Sequence, residues 1–300
     1  VIVLLGFALG ATTADLVQDK VDWQSFLERQ DLVMERNARS YFEAPFVGNG
    51  LVGAMIWQES DRALHLDIGR TDVTDHRTGP EEAIVLKGRL PIGHFTLTTT
   101  GRIVGGTMRL RLHDAEAAGK VITDRGSLSW RLMAHTRLPL IVMDVAATGV
   151  EAGAWQWVPA ASIVPRKPDP ARRNPPPILA LRDGVQTCVQ PRPQSGDYCT
   201  AWQELPAGDA IRRLFVTVAD DFPKSGSDAT AAKTIVNARK ADFDVLLKEH
   251  RDWWHAYYPA SFLSIPDARA EAMYWIQIYK LGSCIRKGGP LCDLMGPWYK

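Results

Sequence analysis

The amino-acid sequence predicts a mainly β fold followed by α-helices. We expect a large antiparallel β-sandwich over about residues 15–223, a helical linker over 224–263, and the opening of a second, helical domain over 264–300. Three observations carry this reading. Short apolar or alternating runs recur between polar turns as far as Pro223; the hydrophobic period then lengthens to that of a helix; and one late segment is apolar nearly all round. At 300 residues and 46% hydrophobic content, the chain can bury a core of that size.

At the N-terminus, an uncharged apolar run from Val1 to Leu9 leads into small residues ending at Ala14. This is the form of a secretory h-region and cleavage site, and it is too short to span a membrane. Residues 1–14 are therefore expected to be a signal-peptide remnant, and the protein to be secreted or periplasmic. The methionine and basic patch that usually open such a segment are missing, so the sequence is expected to be truncated here.

The stretch PFVGNGLVGAMIW, residues 45–57, spells G-x-G-x-x-G at Gly48, Gly50 and Gly53. That pattern holds a dinucleotide only where a strand precedes it and a helix opens on it. Upstream the chain is polar and broken by Pro45; downstream an apolar run, a polar turn at Gln58–Arg62 and alternating Leu64, Leu66 and Ile68 form a β-hairpin pattern. The glycines are read as permitting a sharp turn and a close approach of two backbones. No cofactor is expected.

Further strands follow in order. MRLRLHD alternates, KVIT leads into the turn Asp124-Arg125-Gly126, SLSWRLMAH alternates again, and LIVMDVAA is nearly continuous apolar. GVQTCVQPRP, DYCTAWQEL and RRLFVTVADD each bury one face. Between the two groups lies VPRKPDPARRNPPPI, residues 164–178, whose six prolines forbid regular structure. After Pro223 the residues Phe243, Leu246, Leu247, His250, Trp254 and Tyr257 share one helical face, so one kinked helix or two helices fill 228–258. A last helix is predicted with Ser264 and Asp267 as a capping box and Gly288-Gly289 as its end. Its middle, AMYWIQIYKL, needs other helices on both sides.

Charge excludes some partners. With 35 basic and 34 acidic residues well mixed, there is no footprint for nucleic acid, and no segment is long enough for a membrane span. Ten tryptophans suit a protein that stacks on sugar rings as well as one with large cores. The four cysteines form two close pairs, Cys188 with Cys199 and Cys284 with Cys292, and these are expected to be disulfides. Their spacing does not fit a zinc ribbon, and no metal site is expected. The segment GRTDVTDHR offers Asp72, Asp75 and His76 for proton transfer or a metal, but a polar loop whose aspartates bond their own turn accounts for it more simply. His250 and His255 lie five apart, about 140° around a helix, so they cannot chelate one ion together and are read as packing. The triplet His250-Arg251-Asp252 lacks every other part of a kinase site, and no G-x-S-x-G elbow is present.

Several segments together resemble one group. PFVGNGLVGAMIW resembles the P-x-G-N-G-x-x-G-A-M segment of glycoside hydrolase family 95, the α-L-fucosidase family, and MRLRLHDAEAAGKVITDRGSLSWRLMAHTRLPLIVMDVAA resembles the section that follows it. Residues 293–300, DLMGPWYK, are similar to its N-L-Q-G-I-W-N segment, matched at Leu294, Gly296 and Trp298. The family's N-E-D-T-L-W falls on Gly69 to Asp75, where only Asp72 clearly matches, and Met295 and Pro297 depart from the family's Gln and Ile. A relative acting on another glycan is as good a fit as a fucosidase.

The resemblance implies an N-terminal β-supersandwich, a helical linker, and the first helix of an (α/α)6 barrel that carries catalysis. It implies hydrolysis of glycosidic bonds in an oligosaccharide or polysaccharide by an inverting acid/base pair lying beyond Lys300, so that these 300 residues alone are inactive. Substrate-binding candidates are Asp293 and Trp298, after the first barrel helix, and Asp72 and His76, on a sandwich loop. Two alternatives remain: a non-catalytic glycan-binding or structural sandwich, and a glycoside phosphorylase of similar architecture.

Overall fold

A computed structural model describes residues 20–77, 88–164, 170–193, 196–208, 210–292 and 295–299. The expected signal-peptide remnant and Asp293 lie outside the described residues. The chain enters through a short helix, α1 (Trp23–Glu28), which the strand-like reading of this region did not include. Asp22 caps it by accepting from the Ser25 amide, and Trp23, Phe26 and Leu27 are buried on one side.

Among the described residues, fourteen strands form two antiparallel sheets. The larger runs in the order β1 (Leu32–Met34), β6 (Ile103–Arg111), β7 (Glu116–Thr123), β8 (Gly126–Ala134), β9 (Ile141–Gly149), β14 (Ile211–Asp220), β13 (Asp197–Pro206), β12 (Val185–Pro191), β11 (Ile178–Arg182). The smaller runs β10 (Gly153–Pro159), β5 (Gly93–Thr99), β4 (Ala63–Arg70), β3 (Val52–Ser60), β2 (Phe46–Gly48). In its register Ile56 faces Leu66, which faces Phe95, a row buried against the large sheet. The neighbouring row, Trp57 with His65, lies on the opposite face of this sheet, where Trp57 is still buried.

Strands that read as continuously apolar are covered on both faces. In β9, Ile141, Met143 and Val145 point into the sandwich core, while Val142 points into a second core. In β14, Leu214, Val216 and Val218 face inward and Phe215 and Ala219 face out. The second core is closed by helix α2 (Ser227–Lys240), whose Ala231, Ala232, Ile235 and Ala238 are buried. Buried Asp197 holds the start of this helix, accepting from the amides of Gly226 and Ser227.

This two-sided burial corrects the cysteine pairing. Cys188 lies opposite Thr200, and Cys199 opposite Val189, so the two side chains leave the sheet on opposite faces. Cys188 sits in the sandwich core and Cys199 under α2. Cys188 and Cys199 are therefore thiols; Cys284 is packed onto Gly296, where a Cβ would come within 2.6 Å of its sulfur.

Two helices follow. The buried face of α3 (Phe243–Tyr257) carries Leu246, His250 and Trp254, three of the residues whose spacing predicts it. His250 donates to the carbonyls of Asp114 at 3.1 Å or Ala115 at 3.3 Å in the β6–β7 turn. Burial pushes its pKa down to about 3, so the imidazole is a neutral packing group. In α4 (Ala268–Cys284) the cap is Asp267, which accepts from the amides of Arg269 and Ala270, not the expected Ser264. The helix ends before Gly288-Gly289 because its last turn docks on the sandwich. Its inner face buries Trp275 and Tyr279, while Met273 and Leu281 are 66% and 51% exposed. No helix among the described residues is long and apolar enough to cross a membrane.

Candidate functional site

The glycine segment is the floor of a junction between the sandwich, the end of α4 and residues 295–299. It forms β2, a tight turn and β3, with no helix after it. Gly50 has φ +85° and donates its amide to the Ser283 carbonyl at 2.7 Å. The amides of Leu51 and Val52 go to the Asn49 side chain, whose own amide group donates to the carbonyls of His135 and Leu138. Every amide that would hold a pyrophosphate is therefore used by the protein itself.

The missing side chains make room for specific neighbours. A Cβ on Gly48 would come within 3.1 Å of the Trp298 ring, one on Gly53 within 2.7 Å of the Trp298 nitrogen, and one on Gly69 within 2.0 Å of the Pro297 carbonyl oxygen. Trp298 donates its ring N–H to Val47 at 2.8 Å, and its ring meets Phe46 edge-on at 4.7 Å. Tyr279 donates to the Phe46 carbonyl at 2.8 Å, and burial pushes its hydroxyl pKa up, keeping it a donor. Arg286 donates to the Asn49 carbonyl at 3.2 Å and lies 3.3 Å over the Trp253 ring. Burial lowers its pKa to about 10, and the aromatic face compensates part of that desolvation.

Arg89 links this junction to the loop after β4. Its guanidinium donates to the carbonyls of Gly296, Pro297 and Arg70 and lies 5.0 Å over the Tyr299 ring. Arg70 in turn clasps Asp72 with two bonds of 2.6 and 3.0 Å and donates to the Val218 carbonyl. Asp75 is buried and paired with Arg77. His76 stacks on Phe222 with ring centres 3.5 Å apart, and its Nε2 is 3.4 Å from the Thr74 hydroxyl.

A solved structure shares this fold. The chain is similar to a candidate kojibiose phosphorylase from the human microbiome, with TM-score 0.55 and 9% identity over 80% of this chain and 36% of that one. It is also similar to a bacterial glucoamylase complexed with acarbose, with TM-score 0.49 and 7% identity over 85% of this chain and 44% of that one. At such identities the first likeness shows the fold alone, a β-sandwich followed by helices. The chain spans about a third of that phosphorylase's length. No protein-family profile and no curated protein matches it.

The expected site residues divide accordingly. Trp298 is 4% exposed, and its ring is occupied by the glycine segment, so in this structure it is an anchor of residues 295–299. One edge of it reaches a cleft of about 360 Å3 bordered by Tyr41, Phe42, Phe46 and Met295. Asp72 keeps a side chain 37% exposed while Arg70 fixes its direction. It thus presents oriented acceptor oxygens, the chemistry that recognises hydroxyl groups. His76 and Asp72 each have their own partners, and Arg89 brings their loop beside residues 295–299. Nothing in the sequence around Arg89 marks it as that link; Gly296 and Pro297, which it holds, lie more than two hundred positions away.

Proposed function

We propose that this chain is the N-terminal sandwich and linker of a secreted carbohydrate-active enzyme that hydrolyses glycosidic bonds in complex glycans. The observation that carries the reading is the two-sided character of α4. Its inner face is anchored on the sandwich, while Met273 and Leu281 leave large apolar side chains exposed on its outer face, beside Gln277 and Lys280, where helices of a further domain could cover them. The sandwich-then-helix fold shared with the phosphorylase supports this. In that further domain an acid would protonate the leaving oxygen while a base activates water, their carboxyl groups roughly 6.5–9.5 Å apart for inversion. Asp72, and more weakly His76, would contact sugar hydroxyls from the sandwich side.

The sequence resemblance favours α-L-fucosides as substrate. The second reading, phosphorolysis of an α-glucoside such as kojibiose, is favoured by the name of the structural neighbour. The test is to express the reading frame through and past Lys300 and assay aryl α-L-fucosides and kojibiose with and without phosphate. Phosphate-independent release of fucose supports the first reading; phosphate-dependent cleavage of kojibiose supports the second. No cleavage of these or of a wider glycan panel, with retained glycan binding, would replace both with a non-catalytic sandwich.

A further inference from the structure

The turn Leu112–Ala115 between β6 and β7 meets the last turn of α3. Three side chains with metal-binding atoms converge there. Oδ1 of Asp114 lies 3.1 Å from Nδ1 of His113 and 3.1 Å from Nε2 of His255. All three donor atoms lie within 4.8 Å of one another, and the two imidazoles stack with centres 3.8 Å apart. In a tetrahedral zinc site with bonds of 2.0–2.1 Å, neighbouring donors are about 3.3 Å apart, so the two N···O edges are already of that size.

The surroundings favour this use. The other oxygen of Asp114 is 3.5 Å from Arg251, which leaves Oδ1 facing the imidazoles. Arg251 itself is matched by buried Glu116 through bonds of 2.8 and 2.6 Å, so its charge is answered locally. An outer carboxylate–guanidinium pair that sets the direction of an inner ligand is how many metal sites are held. The donors are reachable, with side chains 16%, 26% and 36% exposed for His113, Asp114 and His255. Beside them opens a polar hollow of about 330 Å3 bordered by Glu28, Asp31, Arg109, His113 and Asp114. That leaves a fourth position open to water.

We propose that His113, Asp114 and His255 bind a divalent transition-metal ion of the zinc type, joining the β6–β7 turn to α3. Two imidazoles and one carboxylate are the donor set that zinc and cobalt take, whereas magnesium and calcium take oxygen alone. This departs from the expectation of no metal, and it gives His255 a partner from the turn rather than His250. The inference is independent of any activity on glycans.

The test uses the whole 300-residue protein. Stripped with EDTA and dialysed at neutral pH, it is titrated with Co2+ while visible absorption is followed, and with Zn2+ or Mg2+ in thermal melts. The expected result is one equivalent of Co2+ with the intense bands of a four-coordinate ion, and a higher Tm with Zn2+ but not with Mg2+. H255A should weaken Co2+ binding by more than the roughly 10–100-fold typical of losing an outer partner. His65→Ala should leave it unchanged, which separates this site from the second group formed by Glu59, His65 and His94. Should H255A unfold, judged by circular dichroism, Asp114→Asn replaces it. Absence of stoichiometric Co2+ binding, or binding that persists in the folded H255A or Asp114→Asn protein, overturns the proposal and leaves two imidazole N–H groups sharing a carboxylate.

Discussion

The Trp298 indole donates to the Val47 carbonyl at 2.8 Å while its ring fills the space above Gly48 and Gly53. The glycines of this segment are therefore required by what lies on them. Gly53→Ala and Gly69→Ala each set a Cβ against the Pro297-Trp298 segment, and each is expected to lower unfolding stability by about 1–3 kcal/mol. Gly105→Ala, where a Cβ meets nothing within 4 Å, is expected to be neutral or to gain a few tenths of a kcal/mol. Urea unfolding of the three variants checks this contrast.

Arg192 and Asp220 form a two-bond ion pair with side chains only 3% and 6% exposed. Asp220 also accepts from the Phe222 amide, and Arg192 donates to the Thr74 carbonyl. Asp220→Asn leaves the guanidinium buried without its counter-charge and is expected to cost about 3–5 kcal/mol. The double variant R192L/D220L should recover a good part of that loss, read by a double-mutant cycle in urea.

Glu151 gathers three turns at one end of the sandwich. It accepts from the amides of Thr100 at 2.7 Å and Gly101 at 2.9 Å, from the Ala152 amide, and from the Thr123 hydroxyl. Burial alone would raise its pKa, but these four donors outweigh it and hold the carboxyl below its ordinary value. The stabilisation is present above the unfolded-state pKa, near 4.5, and is lost as pH falls through the lower folded value. E151Q is thus expected to be less stable by about 1–3 kcal/mol at pH 7. The difference between the two proteins should shrink below about pH 4.5, as denaturant melts across that range would show.

The cysteines offer a simple chemical check. In denaturant, without reductant, dithionitrobenzoate should label Cys188 and Cys199, as peptide mapping would show. In the native protein Cys188 and Cys199 should react slowly, since burial raises both pKa values and removes the thiolate that attacks. A Cys188–Cys199 crosslink found by peptide mapping would mean a different β12–β13 register.

Local patterns made the strands and the face of α3 legible. The run LIVMDVAA reads as buried because both faces of β9 are covered, and Leu246, His250 and Trp254 read as one side of a helix because they are. What the sequence hides is anything that depends on register or long-range docking. The separation of Cys188 and Cys199 looks suited to a bridge, yet a one-residue offset sends them to opposite cores. Helix α1 is too short to show a period. The Asp72 loop is visible as a polar cluster, but its partners Arg89 and Phe222 come from distant positions, and the same holds for His113 with His255.

Among the described residues, strand β11 bounds the large sheet, and Ile178, Leu179 and Leu181 on it are 57%, 64% and 66% exposed. Its outward backbone groups form a template onto which another chain can add a strand, and those apolar side chains would favour the addition. The colloidal behaviour of this protein should therefore be governed by an open seam rather than by loss of its core. A single lysine at position 179 would then do more to keep concentrated solutions clear than any improvement in packing.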